Sequence, residues 1–237
     1  MSRNRMILIY IRKLMLSIFL LWLLTSAGFS RKLDAAAPIA QYVQKNHTHF
    51  STPCSKRFIL TGGPGTGKTT LINYFHQLGY GIAREAATDL ICEELTKQAL
   101  TPWSARNFNE RVALLQEKRQ QELLEMEEEV AFFDRSPIDA LTYELMYDFE
   151  PTEALLRVVQ QTLDEHFYHP KVFLIEDLGS CLQTEIRPET LKESQKIETV
   201  LEENYRELGF EVVRVPAASV KERAETILKV IRNNIVK

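Results

Sequence analysis

One short stretch constrains the fold of this chain more than any other, the glycine-rich segment from Phe58 to Thr70. Its letters, FILTGGPGTGKTT, contain Gly-x-x-x-x-Gly-Lys-Thr, the pattern of a phosphate-binding loop (P-loop). The apolar run that ends at Leu60 predicts a buried strand before the loop, and the run from Leu71 to Leu78 predicts a helix after it. Strand, glycine loop and helix in this order are the context that the pattern requires.

Each residue type in this loop has a chemical reason to be there. Glycines let backbone N–H groups turn toward an anion without Cβ clashes, and the following helix directs its free N–H groups and positive dipole end at phosphate. Lys68 is placed to reach the β- and γ-phosphates, and the Thr69 hydroxyl to bind Mg²⁺. We therefore predict ATP or GTP, with Mg²⁺, as ligands. The predicted nucleotide-binding residues are Gly62, Gly63, Pro64, Gly65, Thr66, Gly67, Lys68, Thr69 and Thr70.

The bulk composition fits a globular enzyme and argues against a nucleic-acid partner. The chain has 237 residues, of which 45% are hydrophobic and 26% charged, which suits one α/β domain with extensions. Its net charge is −3, whereas a nucleic-acid-binding domain is typically basic. The three cysteines, Cys54, Cys92 and Cys181, lie far apart and have neither the spacing of metal ligands nor that of a disulfide framework.

Residues 1–30 differ from the rest of the chain. Basic residues precede an apolar run from Leu14 to Leu24, and small residues follow it, an order typical of a secretory signal peptide. A short membrane anchor, an organellar transit peptide and a misassigned start are the alternatives. A nucleotide enzyme needs a compartment that contains nucleotide, such as the cytoplasm or an organelle. We therefore favour the anchor, the transit peptide and the misassigned start, taken together, over secretion. Association with a membrane is one of the outcomes that this leaves open. Residues 31–55 have the composition of a linker, which leaves 56–237 as the nucleotide-binding domain.

Beyond the loop, apolar segments alternate regularly with helical patterns. The predicted strands are Phe58–Leu60, Tyr80–Ala83, Val130–Phe133, Val172–Ile175 and Phe210–Val215. The predicted helices are Leu71–Leu78, Ala86–Leu100, one from Phe108 to about Val130, Ile138–Met146, Pro151 to about His166, Glu189–Leu208 and one from Ser219 to about Asn233. Short apolar strands separated by helices predict an α/β fold with a mostly parallel five-stranded sheet and helices on both faces.

Charged residues follow three of the predicted strands, where parallel sheets place their functional groups. Glu85 is a candidate to accept a proton from a substrate hydroxyl; its alternative role is an acid at a helix N-terminus. Asp134 is a candidate for the Mg²⁺ shell. Arg135 is a candidate clamp on substrate or phosphate, with a buried Asp–Arg structural pair as the alternative. Glu176 and Asp177, after the fourth strand, are weaker candidates for the metal.

A further candidate lies in the segment from Gln183 to Arg187, between the fourth strand and the late helix. This is where nucleotide kinases often carry a lid that closes over phosphate. Arg187 could then supply positive charge to the γ-phosphate; its alternative role is a surface arginine. The predicted catalytic residues are Lys68, Glu85, Asp134, Arg135 and Arg187, and the predicted metal ligands are Thr69 and Asp134.

Taken in order, several stretches resemble a family of AAA-type P-loop ATPase/kinase domains that includes the ribosylnicotinamide-kinase-like domain of bacterial NAD regulators. The matching stretches are Phe58–Thr70, Arg84–Ala87, Pro102–Trp103, Phe132–Arg135, Tyr205–Val212 and Val215–Pro216. The resemblance covers roughly residues 56–234. Members often carry an arginine where this chain has Thr88, and the segment from Gly179 to Leu182 also departs from the family form.

The resemblance implies a nucleoside- or thymidylate-kinase-like core that binds ATP or GTP with Mg²⁺. It favours Lys68 and Thr69 on phosphate and metal, Glu85 and Asp134 near the reaction centre, and Arg187 on a lid. The first hypothesis is a kinase for an unknown small-molecule, nucleoside-like acceptor, with an ATPase acting on water as a minor variant. The alternative is a nucleotide-controlled binding module for protein or lipid, because related eukaryotic members suggest GTP and anionic-lipid binding.

Overall fold

The computed structural model describes residues 38–44, 56–96, 103, 105–125, 130–179 and 189–235. Within these residues the strands are β1 (Arg57–Thr61), β2 (Gly81–Ala83), β3 (Ala131–Asp134), β4 (Lys171–Ile175) and β5 (Glu211–Val215). The helices are α1 (Lys68–Gln77), α2 (Ala86–Thr96), α3 (Phe108–Glu125), α4 (Pro137–Met146), α5 (Glu153–Asp164), α6 (Leu191–Glu207) and α7 (Val220–Ile235). Every strand predicted from the sequence is present.

The strands form one parallel sheet in the order β2-β3-β1-β4-β5. After β1, the chain forms β2 and β3 on one side of it, and β4 and β5 are added later on the other side. The order in which strands are added therefore reverses beside β1. Ligand crevices in open α/β sheets lie at such a switch point, outside the carboxyl ends of the strands. Leu60 pairs with Asp134, which places the start of the glycine loop beside the predicted metal ligand.

Alternation along the strands divides the core into two layers. Phe58 and Leu60 of β1 pack with α1 and α7 on one face of the sheet. Ile59 points to the opposite face, into a larger cluster that includes residues of α2 to α5 and Tyr205 of α6. Both faces are therefore covered by helices, and the predicted fold class is confirmed.

Two helices, α5 and α6, begin later than predicted, and capping side chains explain the difference. The prediction began α6 at Glu189, but the Thr190 hydroxyl accepts a hydrogen bond from the backbone N–H of Glu193, which fixes the first helical residue at Leu191. Likewise, α5 begins at Glu153 and not at Pro151, because Thr152 caps it. The predicted ends of α2 and α3 reach beyond the described residues.

The described part of the predicted linker packs on the domain. Residues Ile39–Gln41 form a short 3₁₀ helix, and the side chains of Ile39 and Val43 are buried in the larger core cluster. The backbone N–H of Gln44 donates to the side-chain oxygen of Gln160 in α5 (2.8 Å). This part of the segment therefore packs as part of the core, which the interpretation as a linker did not predict.

None of the helices in the described residues is long and apolar enough to cross a membrane. The apolar run from Leu14 to Leu24 lies outside the described residues, so the targeting and anchoring interpretations of residues 1–30 stay predictions.

Candidate functional site

The glycine loop wraps around the ammonium group of Lys68. Lys68 Nζ donates to the carbonyl oxygens of Gly62 (3.0 Å) and Gly63 (2.7 Å) and to Thr66 Oγ1 (3.2 Å). The side chain is buried, with 5% exposure, at the first residue of α1. A positive charge is therefore held by the loop at the N-terminus of α1, as an anion site requires.

Close approaches explain two of the loop glycines. A Cβ atom on Gly62 would lie 2.5 Å from the Ile175 carbonyl oxygen, and the φ of Gly62 is +131°. A Cβ on Gly63 would overlap both the side chain and the carbonyl oxygen of Ser194 in α6. Only glycine lets the loop lie this close to β4 and α6.

Two helical residues that the sequence did not single out hold the loop from outside. The Ser194 hydroxyl of α6 donates to the Pro64 carbonyl oxygen (2.8 Å). Arg223 of α7 is buried, and its guanidinium donates to the carbonyl oxygens of three segments. These acceptors are Thr66 (2.6 Å), Pro216 (3.1 Å) and Glu176 (2.8 Å). Both residues occupy ordinary positions on amphipathic helices, so no local sequence signal marks them.

Thr69 and Asp134 meet beside the loop, as predicted for metal ligands. Thr69 Oγ1 donates to Asp134 Oδ2 (2.8 Å), while Asp134 Oδ1 is buried and has no hydrogen-bond partner among the described residues. Burial, and then the nearby negative charge of Glu85, raise the pKa of Asp134 to about 6. A bound cation would fill the open oxygen position and favour the ionised form, so the donor set fits Mg²⁺.

Glu85, which is partly buried, and Arg135, which is buried, form an ion pair next to this site. Arg135 Nε donates to Glu85 Oε1 (2.7 Å), and Thr88 Oγ1 donates to the other carboxylate oxygen (2.5 Å). Arg135 also pairs with Asp139 Oδ1 (3.2 Å) and lies over the ring of Tyr143, 5.2 Å from its centre. The guanidinium therefore fixes the orientation of Glu85, and its carboxylate partners are Glu85 and Asp139, not Asp134.

Arg135 adopts an unusual backbone conformation, with a φ of +71°. Such a conformation is uncommon in non-glycine residues and is retained where the surroundings enforce it, often in functional sites. Its N–H donates to the Leu60 carbonyl oxygen (3.0 Å), which ties the turn after β3 to the end of β1.

Asp139 accepts several hydrogen bonds at this end of the sheet, and the sequence analysis did not identify it as a site residue. Its carboxylate accepts hydrogen bonds from Thr61 Oγ1 (2.6 Å) and from the Ser136 backbone N–H (3.0 Å), as well as from the Tyr205 hydroxyl. The Ser-x-x-Asp spacing with Ser136 forms a capping box at the start of α4. That spacing is a signal visible in the sequence.

A cleft opens beside the loop, with an empty volume of about 820 Å³ that includes the open solvent at its mouth. Its polar lining residues are Lys68, Glu85, Thr88, Asn109, Gln116, Arg135, Asp139, Tyr143, Tyr147 and Glu189. Its remaining lining residues are Pro64, Ala87, Ile91, Trp103, Phe108, Val112 and Ala140. The cleft thus joins a charged end at the loop to a wall with several apolar and aromatic side chains.

The structure brings together the predicted residues Lys68, Thr69, Glu85, Asp134 and Arg135 at the carboxyl edge of the sheet. Arg187 and the rest of the predicted lid segment lie outside the described residues.

The two weaker metal candidates have other contacts. The Glu176 carboxylate accepts from Arg214 (2.6 Å), and the Asp177 carboxylate accepts from the Gly179 N–H (2.7 Å) and from Gln195 (3.2 Å). In the described residues, no group of three or more His, Cys, Asp or Glu side chains could hold a metal by itself.

Comparison with known proteins gives one family match. The model of a family described as "AAA domain" matches residues 57–223. No curated protein matches the chain.

Structures of two kinases are among the solved structures that are similar to it. Deoxyadenosine kinase from M. mycoides, with products dCMP and a flexible dCDP bound, is 17% identical over 75% of this chain and 99% of its own, with a TM-score of 0.48. The same enzyme with bound dCTP is 15% identical over 75% and 99%, with a TM-score of 0.49. Shikimate kinase from Acinetobacter baumannii, in complex with shikimate, is 19% identical over 79% and 98%, with a TM-score of 0.47. Similarity this distant assigns no substrate to the present chain.

Proposed function

Because this chain belongs to the family of AAA domains over residues 57–223, we propose that it binds ATP or GTP with Mg²⁺ and transfers the γ-phosphoryl group to a small, nucleoside-like acceptor. One observation carries the proposal: the loop lysine, the Thr69–Asp134 pair and the Glu85–Arg135 pair lie at one edge of the sheet, where a cleft opens beside them. This combination provides a phosphate site, a metal site and an acceptor site together.

On the phosphate side, backbone N–H groups of the loop and the N-terminus of α1 bind the phosphate oxygens. The Lys68 ammonium exchanges its loop carbonyl partners for β- and γ-phosphate oxygens and neutralises charge that develops during transfer. The Thr69 hydroxyl and the Asp134 carboxylate would hold Mg²⁺, which neutralises the β- and γ-phosphates when it is bound.

On the acceptor side, Glu85 receives the proton from the attacking hydroxyl. The hydroxyl oxygen bonds to the γ-phosphorus, the bond from that phosphorus to the bridging oxygen breaks, and the nucleoside diphosphate leaves. Arg135 keeps the Glu85 carboxylate in place by the 2.7 Å hydrogen bond. Arg187, from the sequence alone, is the proposed lid residue that adds charge at the γ-phosphate.

A nucleotide-controlled binding module would use the same loop but would need no acceptor. The carboxylate of Glu85, which lines the cleft next to the loop, favours the kinase. Screening acceptors for faster consumption of ATP or GTP separates the two functions. Partner or vesicle binding that depends on nucleotide, with no acceleration by any acceptor, would favour the module and would give the N-terminal segment a role at a membrane.

Replacement of Lys68 tests the proposal. The thermal midpoint of the wild-type protein should rise when Mg²⁺-ATP or Mg²⁺-GTP is added, because a ligand that binds the native state stabilises it. Lys68→Ala should lose most of this rise and all turnover. The control is Lys118→Ala, which removes a lysine with 71% side-chain exposure on α3 and should behave like wild type. Undiminished nucleotide binding and turnover in Lys68→Ala would contradict the proposal.

A further inference from the structure

Tyr205 of α6 places a hydroxyl in the core, where it binds a carboxylate of another helix. The residue has 0% exposure. Its hydroxyl donates to Asp139 Oδ2 and lies 2.6 Å from Ser136 Oγ. Burial, and then the negative charge of Asp139, raise the pKa of the Tyr205 phenol, so the hydroxyl keeps its proton and can donate it to the carboxylate. Tyr205 therefore holds Asp139 from the side of α6.

Asp139 connects this contact to the proposed base through Arg135. Its Oδ1 atom accepts from Arg135 Nη1 (3.2 Å), and Arg135 Nε donates to Glu85 Oε1 (2.7 Å). The side chains of Asp139 and Arg135 are almost fully buried, with 1% and 7% exposure. Because the guanidinium is planar and rigid, a carboxylate bound to one of its nitrogens also restrains the direction of the others. A chain of hydrogen bonds therefore runs from Tyr205 to Glu85.

Helix capping explains only part of these contacts. In the capping box, Asp139 Oδ2 accepts from the Ser136 backbone N–H (3.0 Å), which requires neither Tyr205 nor Arg135. A buried phenol in this core can also be satisfied more simply, since the Tyr168 hydroxyl accepts from a glutamine of α3 (2.8 Å). The link from α6 to Arg135 therefore goes beyond what the cap or the core requires.

The same helix also contacts the phosphate loop. Near the start of α6, the Ser194 hydroxyl donates to the Pro64 carbonyl oxygen (2.8 Å), and Tyr205 lies about three turns further along. One helix is thus bound to the loop near one end and to the chain that leads to Glu85 near the other. Phosphoryl transfer needs its reacting groups held within about 0.5 Å of the productive geometry, and a rigid helix with both contacts can hold them so.

On the basis of the proposed kinase function, we infer that Tyr205 is a positioning residue for phosphoryl transfer that acts through Asp139 and Arg135 on Glu85. The Tyr205 hydroxyl holds Asp139, and Asp139 holds the guanidinium. The guanidinium keeps the Glu85 carboxylate where the acceptor hydroxyl arrives. Helix α6 thereby sets the separation between the phosphate loop and the base, and Tyr205 does this without touching either substrate.

Tyr205→Phe removes the hydroxyl and keeps the ring. The kcat should fall about tenfold, because the base is held less firmly. The KM values for nucleotide and acceptor should stay within about twofold, because no substrate contact is removed. Rates are measured with Mg²⁺-ATP and Mg²⁺-GTP on a nucleoside panel of adenosine, guanosine, cytidine, uridine and nicotinamide riboside. The acceptor that the wild-type protein phosphorylates fastest then serves for all variants.

The matched control is Tyr168→Phe, which also removes the hydroxyl of a buried phenol. It leaves Gln120 Nε2 without its acceptor, so the thermal midpoint should fall by a few degrees, as it should in Tyr205→Phe. Only Tyr205→Phe should lower kcat. In both variants, added Mg²⁺-nucleotide should raise the midpoint as it does in wild type.

Arg135→Lys tests whether the effect of Tyr205 runs through Arg135. Lysine keeps the charge but has one nitrogen in place of the guanidinium that joins Glu85 to Asp139. Its kcat should be below that of wild type, and adding Tyr205→Phe should lower it by less than about twofold more. A further loss as large as in Tyr205→Phe alone would mean that Tyr205 acts by another route and would overturn the inference. If Arg135→Lys is too slow to measure, the comparison of Tyr205→Phe with Tyr168→Phe decides.

Failure of this inference is distinguishable from failure of the proposed function. If wild type phosphorylates a nucleoside and Tyr205→Phe keeps the wild-type kcat, or loses no more than Tyr168→Phe does, the inference is wrong and the kinase function stands. A rise in the KM for nucleotide as large as the fall in kcat would also overturn it, because Tyr205 would then act on nucleotide binding. If wild type binds Mg²⁺-nucleotide but phosphorylates none of the panel, the kinase function fails and the inference fails with it.

Discussion

Asp134 is the residue whose surroundings point most directly to a bound cation. One carboxylate oxygen holds the Thr69 hydroxyl, and the other is buried without a partner in the described part of the chain. Burial and Glu85 oppose ionisation and raise the pKa of Asp134 to about 6. A divalent cation reverses this balance, since it favours the charged carboxylate.

Asp134→Asn should therefore weaken metal-dependent nucleotide binding. The change keeps the shape of the side chain but removes the charge. The Mg²⁺ concentration that gives half of the nucleotide-induced midpoint shift should increase by about tenfold or more. The matched control is Asp177→Asn, after β4, whose carboxylate accepts from the Gly179 N–H. An equal Mg²⁺ requirement in wild type and Asp134→Asn would remove Asp134 from the metal site.

Residues at strand ends were predictable, and residues on helix faces were not. Glu85, Asp134 and Arg135 follow apolar strands, so the sequence marks the edge where they meet. Ser194 and Arg223 lie within helical patterns, where a polar residue has no feature that separates a buried role from a solvent-facing one. Their roles depend on which helices cover the loop and the cleft. That arrangement belongs to the tertiary structure and cannot be seen in a local sequence pattern.

Among the elements, helices α6 and α7 form hydrogen bonds to the glycine loop. Ser194 binds the Pro64 carbonyl, and Arg223 joins the loop to the ends of β4 and β5 by three hydrogen bonds. The loop conformation thus depends on the two last helices of the domain as well as on its glycines.

Arg223→Met should loosen this arrangement. Three carbonyl groups lose a charged donor, so the free energy of unfolding should fall by about 2–4 kcal/mol. The Kd for Mg²⁺-nucleotide should rise by about tenfold, because the loop is less preorganised. The control is Arg232→Met, on an exposed part of the same helix. Chemical denaturation and calorimetry measure the two effects, and wild-type values for Arg223→Met would show that the loop needs no support from α7.

A histidine two residues before β4 should respond to pH. His169 is buried, its ring centre lies 4.5 Å from that of Phe58, and its Nδ1 accepts from the Lys171 N–H (2.9 Å). Burial, and then the positive charge of Lys171, lower the pKa of His169 to about 4. As the pH falls from about 6.5 to 4, the unfolded chain takes up a proton that the folded protein refuses, so stability is lost on acidification.

His169→Asn should remove that contribution. In wild type, His169 makes the free energy of unfolding decrease as the pH is lowered from about 6.5 to 4. The decrease is no more than about 1.4 kcal/mol per pH unit. Urea denaturation at several pH values should show a shallower fall in His169→Asn. In the control His76→Gln, the replaced side chain is exposed, so the wild-type slope should remain. An unchanged slope in His169→Asn would contradict the role given to burial.

Over the whole molecule, the domain extends beyond the boundary that the sequence suggests. Residues 38–44 precede the first strand and lie in the segment predicted to be a linker, yet Ile39 has 0% exposure and Val43 5%. This stretch is too short for a periodicity argument, so the burial of its apolar side chains was not predictable. The sheet and its covering helices were predictable because their apolar runs are long and alternate with clear helical patterns.

Ile39→Ala should destabilise the full chain and leave nucleotide binding intact. Loss of a fully buried isoleucine costs about 2–5 kcal/mol, so the thermal midpoint should drop by several degrees. Nucleotide affinity should not change, because no phosphate contact is removed. Gln41→Ala, at an exposed position of the same segment, is the control. An unaltered midpoint in Ile39→Ala would show that residues 38–44 add nothing to the core.

The most direct test of the proposed chemistry is transfer of the γ-phosphoryl group to an acceptor, followed by mass spectrometry. The wild-type protein, given Mg²⁺-ATP or Mg²⁺-GTP and the nucleoside panel, should convert at least one nucleoside to its monophosphate and form an equal amount of nucleoside diphosphate. Lys68→Ala and Glu85→Gln should form no detectable product, and Glu85→Gln should still bind nucleotide. Nucleotide binding by wild type with no phosphorylated acceptor in any mixture, or product formation undiminished in Lys68→Ala, would contradict the kinase function.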